Sequence, residues 1–351
     1  MKTSFLKLFI FISLDVISLS ALVVNSEQDF YDKLTKSNNI TLSNDITLSK
    51  PVYLMPNQII NGNGHKLILN ISDNQCQFSL ASNNQILSME IVSTSDNTNV
   101  MCANNVSNAY LASTNITSSG TNSNAIVINN SNVVKLDSCN IIKNGTGNSI
   151  QANNSTTVVI NNFYISHNSP DNGVIFSNTK SSIFINSIFV ITNPTTLIQA
   201  GLVIVGSNDL NVEDMRFFAY SNLVDVIRVI SGTNVMIQYN TFFVNSQNLP
   251  NVAIGIFFGD NNQMPFNINN ISINNNDFYN FTISNTNYLA ALNFSKTSNT
   301  SINPQFNSGN VIGNSKLYGG AENGATIQGS VSFTDGGVFP NNNGYRKFFI
   351  H

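Results

Sequence analysis

Val158 to Ile165 read VVINNFYI, and the same eight-residue pattern returns along the chain. It appears before as VKLDSCNI (Val134 to Ile141) and afterwards as IFINSIFV (Ile183 to Val190), LNVEDMRF (Leu210 to Phe217), VMIQYNTF (Val235 to Phe242) and ISINNNDF (Ile271 to Phe278). Starts mostly about 25 residues apart fall in the period range of a solenoid. Positions one, three and eight are apolar; position three holds Leu111, Leu136, Ile160, Ile185, Val212, Ile237 and Ile273. Positions four and five are polar, as in Asp137-Ser138, Asn161-Asn162 and Asn186-Ser187. Alternation at positions one and three is the two-residue period of a strand. The polar pair turns the chain, and position eight belongs to the next strand. In this alignment Cys139, Phe163, Ile188 and Met215 share one core column.

A further strand precedes each block: AIVI (Ala125 to Ile128), SIQA (Ser149 to Ala152), GVIF (Gly173 to Phe176), GLVIV (Gly201 to Val205), VIRVI (Val226 to Ile230) and GIFF (Gly255 to Phe258). Each unit therefore holds three short strands separated by Asn, Ser and Gly turns. Evenly spaced strands without intervening helices exclude a doubly wound sheet. Coiling them so that each strand pairs with its copy one turn on satisfies the backbone and buries an apolar column. Turn asparagines one coil apart, such as Asn161 and Asn186, are expected to hydrogen-bond as a ladder.

The repeat resembles the right-handed parallel β-helix of the pectate-lyase-like families, over roughly Ser26 to Val311. The resemblance implies an all-β, single-stranded, right-handed solenoid of about ten turns of ~25 residues. Ser26-Glu27-Gln28-Asp29 followed by Phe30, Tyr31 and Leu34 reads as a short amphipathic helix; in the resembling families such a helix covers the first coil. The glycines of NGNG (Asn61 to Gly64) suit a tight turn, which makes the neighbouring His65 structural. Residues 1–20 read as a signal peptide, 21–312 as the β-helix with its cap, and 313–351, where the repeat dissolves, as a C-terminal cap or tail.

The N-terminal reading rests on Lys2 and Lys7 ahead of an apolar run and on Ser18-Leu19-Ser20, with Asp15 inside the run as a departure. It implies a secreted, surface or periplasmic protein with no stable membrane span after cleavage. Charged residues make up 9% of the chain against about 25% in an ordinary domain. Asparagine takes their place, at about one residue in six. The three arginines, Arg216, Arg228 and Arg346, form no basic stripe, which excludes nucleic acid as a partner. About a dozen Asn-x-Ser/Thr sequons occur, including Asn70-Ile-Ser72 and Asn144-Gly-Thr146.

Cys76 and Cys102 stand about one repeat apart, each in the strand before its block. Stacked strands lie about 4.8 Å apart, within disulfide reach, so in an exported protein the two are expected to pair; the alternative is two buried free thiols. The cysteine spacings suggest no zinc site, and no metal site is assigned.

By alternation, Val127, Gln151, Ile175, Arg228 and Phe257 point outward from the strand before each block. A large apolar outer face is a candidate binding surface, with Gln151, Ile175, Arg228 and Phe257 as its residues. Asp209, Glu213, Asp214, Arg216, Asp225 and Arg228 gather within one repeat and are the candidate catalytic set. Two carboxylates can act as acid and base in glycoside cleavage. By resemblance to β-helix lyases, carboxylates would instead hold calcium while an arginine takes the proton; otherwise no cofactor is implied. His167 and Asp171, in SHNSPDNG, form a weaker pair. The motif sets of polygalacturonases, alginate epimerases, pectate lyases and methylesterases are absent from the sequence.

The sequence thus points to an exported, non-catalytic β-helix presenting an elongated surface to a glycan or another macromolecule. The alternative is a lyase or hydrolase acting on an acidic polysaccharide. Ice binding needs regular threonine columns, which the repeat lacks.

Overall fold

The computed structural model describes residues 21–72, 76–192, 199–220 and 224–244, with six short stretches between 253 and 333. Its strands stack in register into three parallel sheets that wrap one core. Sheet 1 has ten strands, among them Asn99–Asn104, Ile126–Asn129, Ile150–Asn153 and Val174–Ser177. Sheet 2 has fourteen, including Asn132–Asp137 and Thr156–Asn161. Sheet 3 has ten, including Asn140–Asn144 and Tyr164–Asn168. The chain visits sheets 1, 2 and 3 in turn, so VVINNFYI supplies a sheet 2 strand, a turn and the start of a sheet 3 strand.

The column Leu67, Ile91, Ile116, Ile141, Ile165, Phe189, Phe217, Phe242 advances by 24 to 28 residues per coil. About seven turns have the expected length, fewer than the ten anticipated. The pairing of Ile46 with Leu67 spans a shorter coil, and that of Phe242 with Phe278 a much longer one. Only strand registers are constrained by pairing, so coil length varies in the connections.

One coil departs from the sequence alignment. Ile160 pairs with Phe184, and Phe184 with Val212, so Phe184 fills the core column expected for Ile185. Phe184 is fully buried while Ile185 is half-buried. Ser187, not Ile188, follows Phe163 in its column; its hydroxyl accepts from the Phe163 amide at 3.0 Å. A one-residue slip exchanges the two faces of a strand. IFINSIFV is apolar on both faces, so its pattern alone leaves the register open.

The turns account for part of the asparagine content. Of 22 described non-glycine residues with positive φ, 13 are asparagine, a residue that tolerates the left-handed region. The expected ladder is present: Asn186 Nδ2 donates to Asn161 Oδ1 at 2.9 Å, and Asn161 Nδ2 to Asp137 Oδ1 at 2.7 Å. Inside, the core changes from aliphatic to aromatic along the axis, with Phe189, Phe217 and Phe242 in one stack. Gly173 makes room for this change; a Cβ there would lie 2.1 Å from Phe189 Cζ.

The helix forms as read, over Glu27–Leu34, with the Ser26 hydroxyl accepting from the Asp29 amide at 3.3 Å. It buries Phe30 and Leu34 against the first coil, and the Tyr31 hydroxyl donates to the Lys50 carbonyl. Cys76 and Cys102 form the expected disulfide. The expected signal peptide lies outside the described residues, as does the C-terminal segment 313–351 apart from Ser332–Phe333.

Candidate functional site

The charged set between Asp209 and Arg228 is distributed around the solenoid. Asp209 and Asp214 occupy left-handed turn positions, with φ of 55° and 53°. Asp209 accepts from Asn234 Nδ2 at 2.8 Å, and Glu213, at the end of a sheet 2 strand, from Asn211 Nδ2 at 2.7 Å. Arg216 is exposed on sheet 3, beside Ile188 and Thr241. Asp225 and Arg228 lie on sheet 1, where Arg228 Nε donates to Asp225 Oδ2 at 2.8 Å. Only these last two form an ion pair with each other, and Asp225 is 2% exposed. Burial pushes the Asp225 carboxyl up to about 6, against the opposing pull of the Arg228 guanidinium.

The outward column of sheet 1 runs Ser79, Cys102, Val127, Gln151, Ile175, Val203, Arg228. It is less open than alternation implies. Val127 is buried with the Cys76–Cys102 bridge, and Val203 is buried as well. Gln151 and Ile175 are half-buried neighbours; Arg228 stands two coils beyond Ile175. Phe257 continues the column by register, while its side chain lies outside the described residues.

Where these strands turn into sheet 2, the surface becomes a row of amides. Asn104, Asn129 and Asn153 stack at the strand ends, followed in register by Ser177. The next residues, Asn105, Asn130, Asn154 and Asn178, all take left-handed φ between 47° and 56°. Together the two columns line a shallow open groove of about 610 Å³. Asn129 Nδ2 donates to Asn104 Oδ1 at 2.9 Å, Asn153 Nδ2 to Asn129 Oδ1 at 2.8 Å, and Asn178 Nδ2 to Asn154 Oδ1 at 3.2 Å. Behind them, buried hydroxyls hold the backbone. Ser131 Oγ accepts from the Val106 amide at 3.1 Å, and Ser155 Oγ from the Ser131 amide at 3.0 Å. The sequons Asn129-Asn130-Ser131 and Asn153-Asn154-Ser155 are therefore written by this architecture.

Gln151 and Asn153 share one face of one strand, so the candidate surface and the groove are continuous. Sequence reading found Gln151 and Ile175 but missed the groove. The repeated Asn-Asn-Ser was its visible signal, and it was indistinguishable there from general asparagine excess.

His167 and Asp171 do not make an open pair. His167 is fully buried; Nδ1 lies 2.9 Å from Ser149 Oγ and Nε2 2.8 Å from the Asp171 carbonyl. Burial pushes it down to about 4. The Asp171 carboxylate accepts from the Gly147 amide at 2.6 Å. His65 lies 3.5 Å from Asp45 in an exposed turn.

No protein-family model and no curated protein matches the chain. Solved structures do. PfbA, a surface adhesin of Streptococcus pneumoniae, is 12% identical, with a TM-score of 0.52 over 88% of this chain and 86% of its own. An endo-xylogalacturonan hydrolase from Aspergillus tubingensis is 11% identical, with a TM-score of 0.54 over 90% of this chain and 100% of its own. A tailspike protein of E. coli bacteriophage HK620, solved with a pentasaccharide, is 12% identical, with a TM-score of 0.52 over 86% of this chain and 61% of its own. The fold is the parallel β-helix of the pectate-lyase-like proteins.

Proposed function

We propose that the protein is an exported, non-catalytic β-helix that holds a glycan along the outer surface of sheet 1 and the adjoining groove. The observation that carries this reading is the open amide groove, continuous with Gln151 and Ile175 and lined, among the described residues, by no ionisable side chain. Amides donate and accept at once, as hydroxyl-rich ligands require. A surface adhesin and a glycan-bound tailspike of the same fold support the reading by analogy. The Cys76–Cys102 bridge supports export, because disulfides persist in oxidising compartments. Secretion or display at a cell surface follows from the same reading.

A second reading, an acidic-polysaccharide lyase or hydrolase, draws on the Asp225 carboxyl, whose raised pKa suits a general acid. In it Asp209, Glu213, Asp214 and Arg216 would supply the remaining groups, with calcium in the lyase form. Against it stands their distribution over three sheets.

The discriminating experiment incubates the protein with neutral, uronate and sulfated polysaccharides, with and without calcium, and follows polymer length and protein co-elution by size exclusion. Co-elution without shortening is expected. Shortening that disappears in Arg228→Ala or Asp225→Asn would make the protein an enzyme and reject the binding reading.

A further inference from the structure

We infer that the groove selects an uncharged polysaccharide, laid parallel to the solenoid axis with one sugar residue per coil. This rests on the glycan-binding reading and narrows it to a ligand class and a pose.

The argument begins with valence. An asparagine amide has two N–H donors and a carbonyl oxygen with two lone pairs. Asn129 uses one donor on Asn104 and one lone pair on Asn153. Among the described residues, one N–H and one lone pair remain at that rung. A vicinal pair of sugar hydroxyls can give to one and take from the other. A carboxylate or sulfate can only accept. It would engage the N–H and leave the amide oxygen facing a negative charge, with no cation in the groove lining to offset it.

The spacing points the same way. Coils repeat about every 4.8 Å along the axis, close to the advance of one pyranose residue in an extended chain. Four coils carry left-handed asparagines, from Asn105 to Asn178, so the groove matches about four sugars. Its limits are chemical. In register beyond Ser177 stands Val205, and the left-handed column continues at Gly206. At the other end Leu80 pairs with Ala103, which places Ala81 beside Asn104. The backbone bearing the amides is held by the serine hydroxyls behind it, so little ordering is left for binding to impose.

Affinity electrophoresis through gels containing a neutral glucan or mannan, a polyuronate or a sulfated galactan tests the class. Titration with neutral oligosaccharides of increasing length tests the pose. The variant is Asn130→Gly/Asn154→Gly, which removes two central amides and keeps the backbone conformation that Gly206 adopts in the same column. Retardation by neutral polymers, unchanged by added salt, is expected, with about a tenfold weaker interaction in the variant. Affinity should rise with oligosaccharide length and level off at about four sugars. A far-UV melt checks that the variant is folded.

Salt-sensitive binding confined to the polyuronate or sulfated polymer would overturn the inference and leave the broader glycan reading standing. Neutral-polymer binding that the folded variant retains would overturn the assignment to this groove. Affinity that peaks at one or two sugars would overturn the axial pose. Failure to bind any polymer would overturn both readings.

Discussion

Two stacks of polar side chains climb the same coils of this solenoid, and they have opposite fates. One is the asparagine groove between sheets 1 and 2. The other is a seam on sheet 3, where Ser93, Ser118, Lys143 and His167 follow one another in register and all are buried. The seam meets its hydrogen-bonding needs inside. Gln77 Nε2 donates to Ser93 Oγ at 2.8 Å, and Lys143 Nζ donates to the carbonyls of Gly120, at 3.4 Å, and Asn144. Beyond His167 the same column becomes Ile191 and Ala219, and the core closes around Phe189. Inward polar groups spend most of their capacity on the protein, although Gln77 Oε1 finds no partner among the described residues. The outward Asn129 amide spends one donor and one lone pair on its neighbours and, in the proposed reading, keeps the rest for a ligand. The stack is the same device on both sides; the direction of the side chain decides whether it supports the fold or recognises something.

Breaking the seam should have the largest effect on stability. His167→Ala leaves a cavity beside Phe189 and strips Ser149 and the Asp171 carbonyl of a partner, an expected loss of about 3 to 4 kcal/mol in denaturant unfolding. The equivalent cut in the groove, Asn130→Gly/Asn154→Gly, is expected to cost about 1 kcal/mol or less per site. Comparable losses from the two would mean that the inward seam and the outward groove contribute alike to the fold.

Removing the staple beside the groove ranks next. Cys76→Ala/Cys102→Ala opens a link across 26 residues and should lower stability by about 3 kcal/mol, leaving polysaccharide binding unchanged in the folded fraction.

Acid sharpens the contrast further. His167 sits at about 4 when folded, below its usual 6.5, because burial disfavours the imidazolium. The unfolded chain therefore binds the extra proton first, and the contribution present above pH 6.5 is lost as pH falls through 4. Asp225, pushed up to about 6, has the reverse slope: its contribution declines as pH rises from 3.8 through 6. Lys143, held down at about 8, adds stability as pH rises from 8 towards 10.5, outside the acid window. Total stability thus blends opposing slopes. The difference between wild type and His167→Leu isolates one of them, and it should shrink by about 3 kcal/mol between pH 6.5 and pH 4. A difference independent of pH would show that His167 is not titrated by folding.

The smallest effect expected is a gain. Val133 and Thr157 hold φ of 57° and 54° in a column where Asn83, Asn108 and Asn234 take the same conformation. A β-branched residue is disfavoured there, so Val133→Asn should raise stability by up to about 1 kcal/mol in a thermal melt. An unchanged melting temperature would mean that Asn at these turns reflects composition alone.

The repeat itself was legible because a strand's two-residue period and a fixed coil length leave a pattern that survives with one chain in hand. VVINNFYI, the pairing of Cys76 with Cys102 and the Glu27–Leu34 helix all followed from local chemistry and spacing. IFINSIFV did not, since apolar residues on both faces hide which one is inside; pairing with the coils before and after decided for Phe184. The charged residues between Asp209 and Arg228 are close in sequence, yet in a solenoid close in sequence means distributed around a coil. Neighbours in space are a full coil apart in the chain. Sequence alone therefore determined the architecture, the turns and the redox staple. The tertiary structure alone decided which polar columns face water, that Asp225 and Arg228 form an ion pair, and that two columns of asparagines stand side by side as a groove. Turn chemistry is written residue by residue, whereas a surface exists only once the coils are stacked.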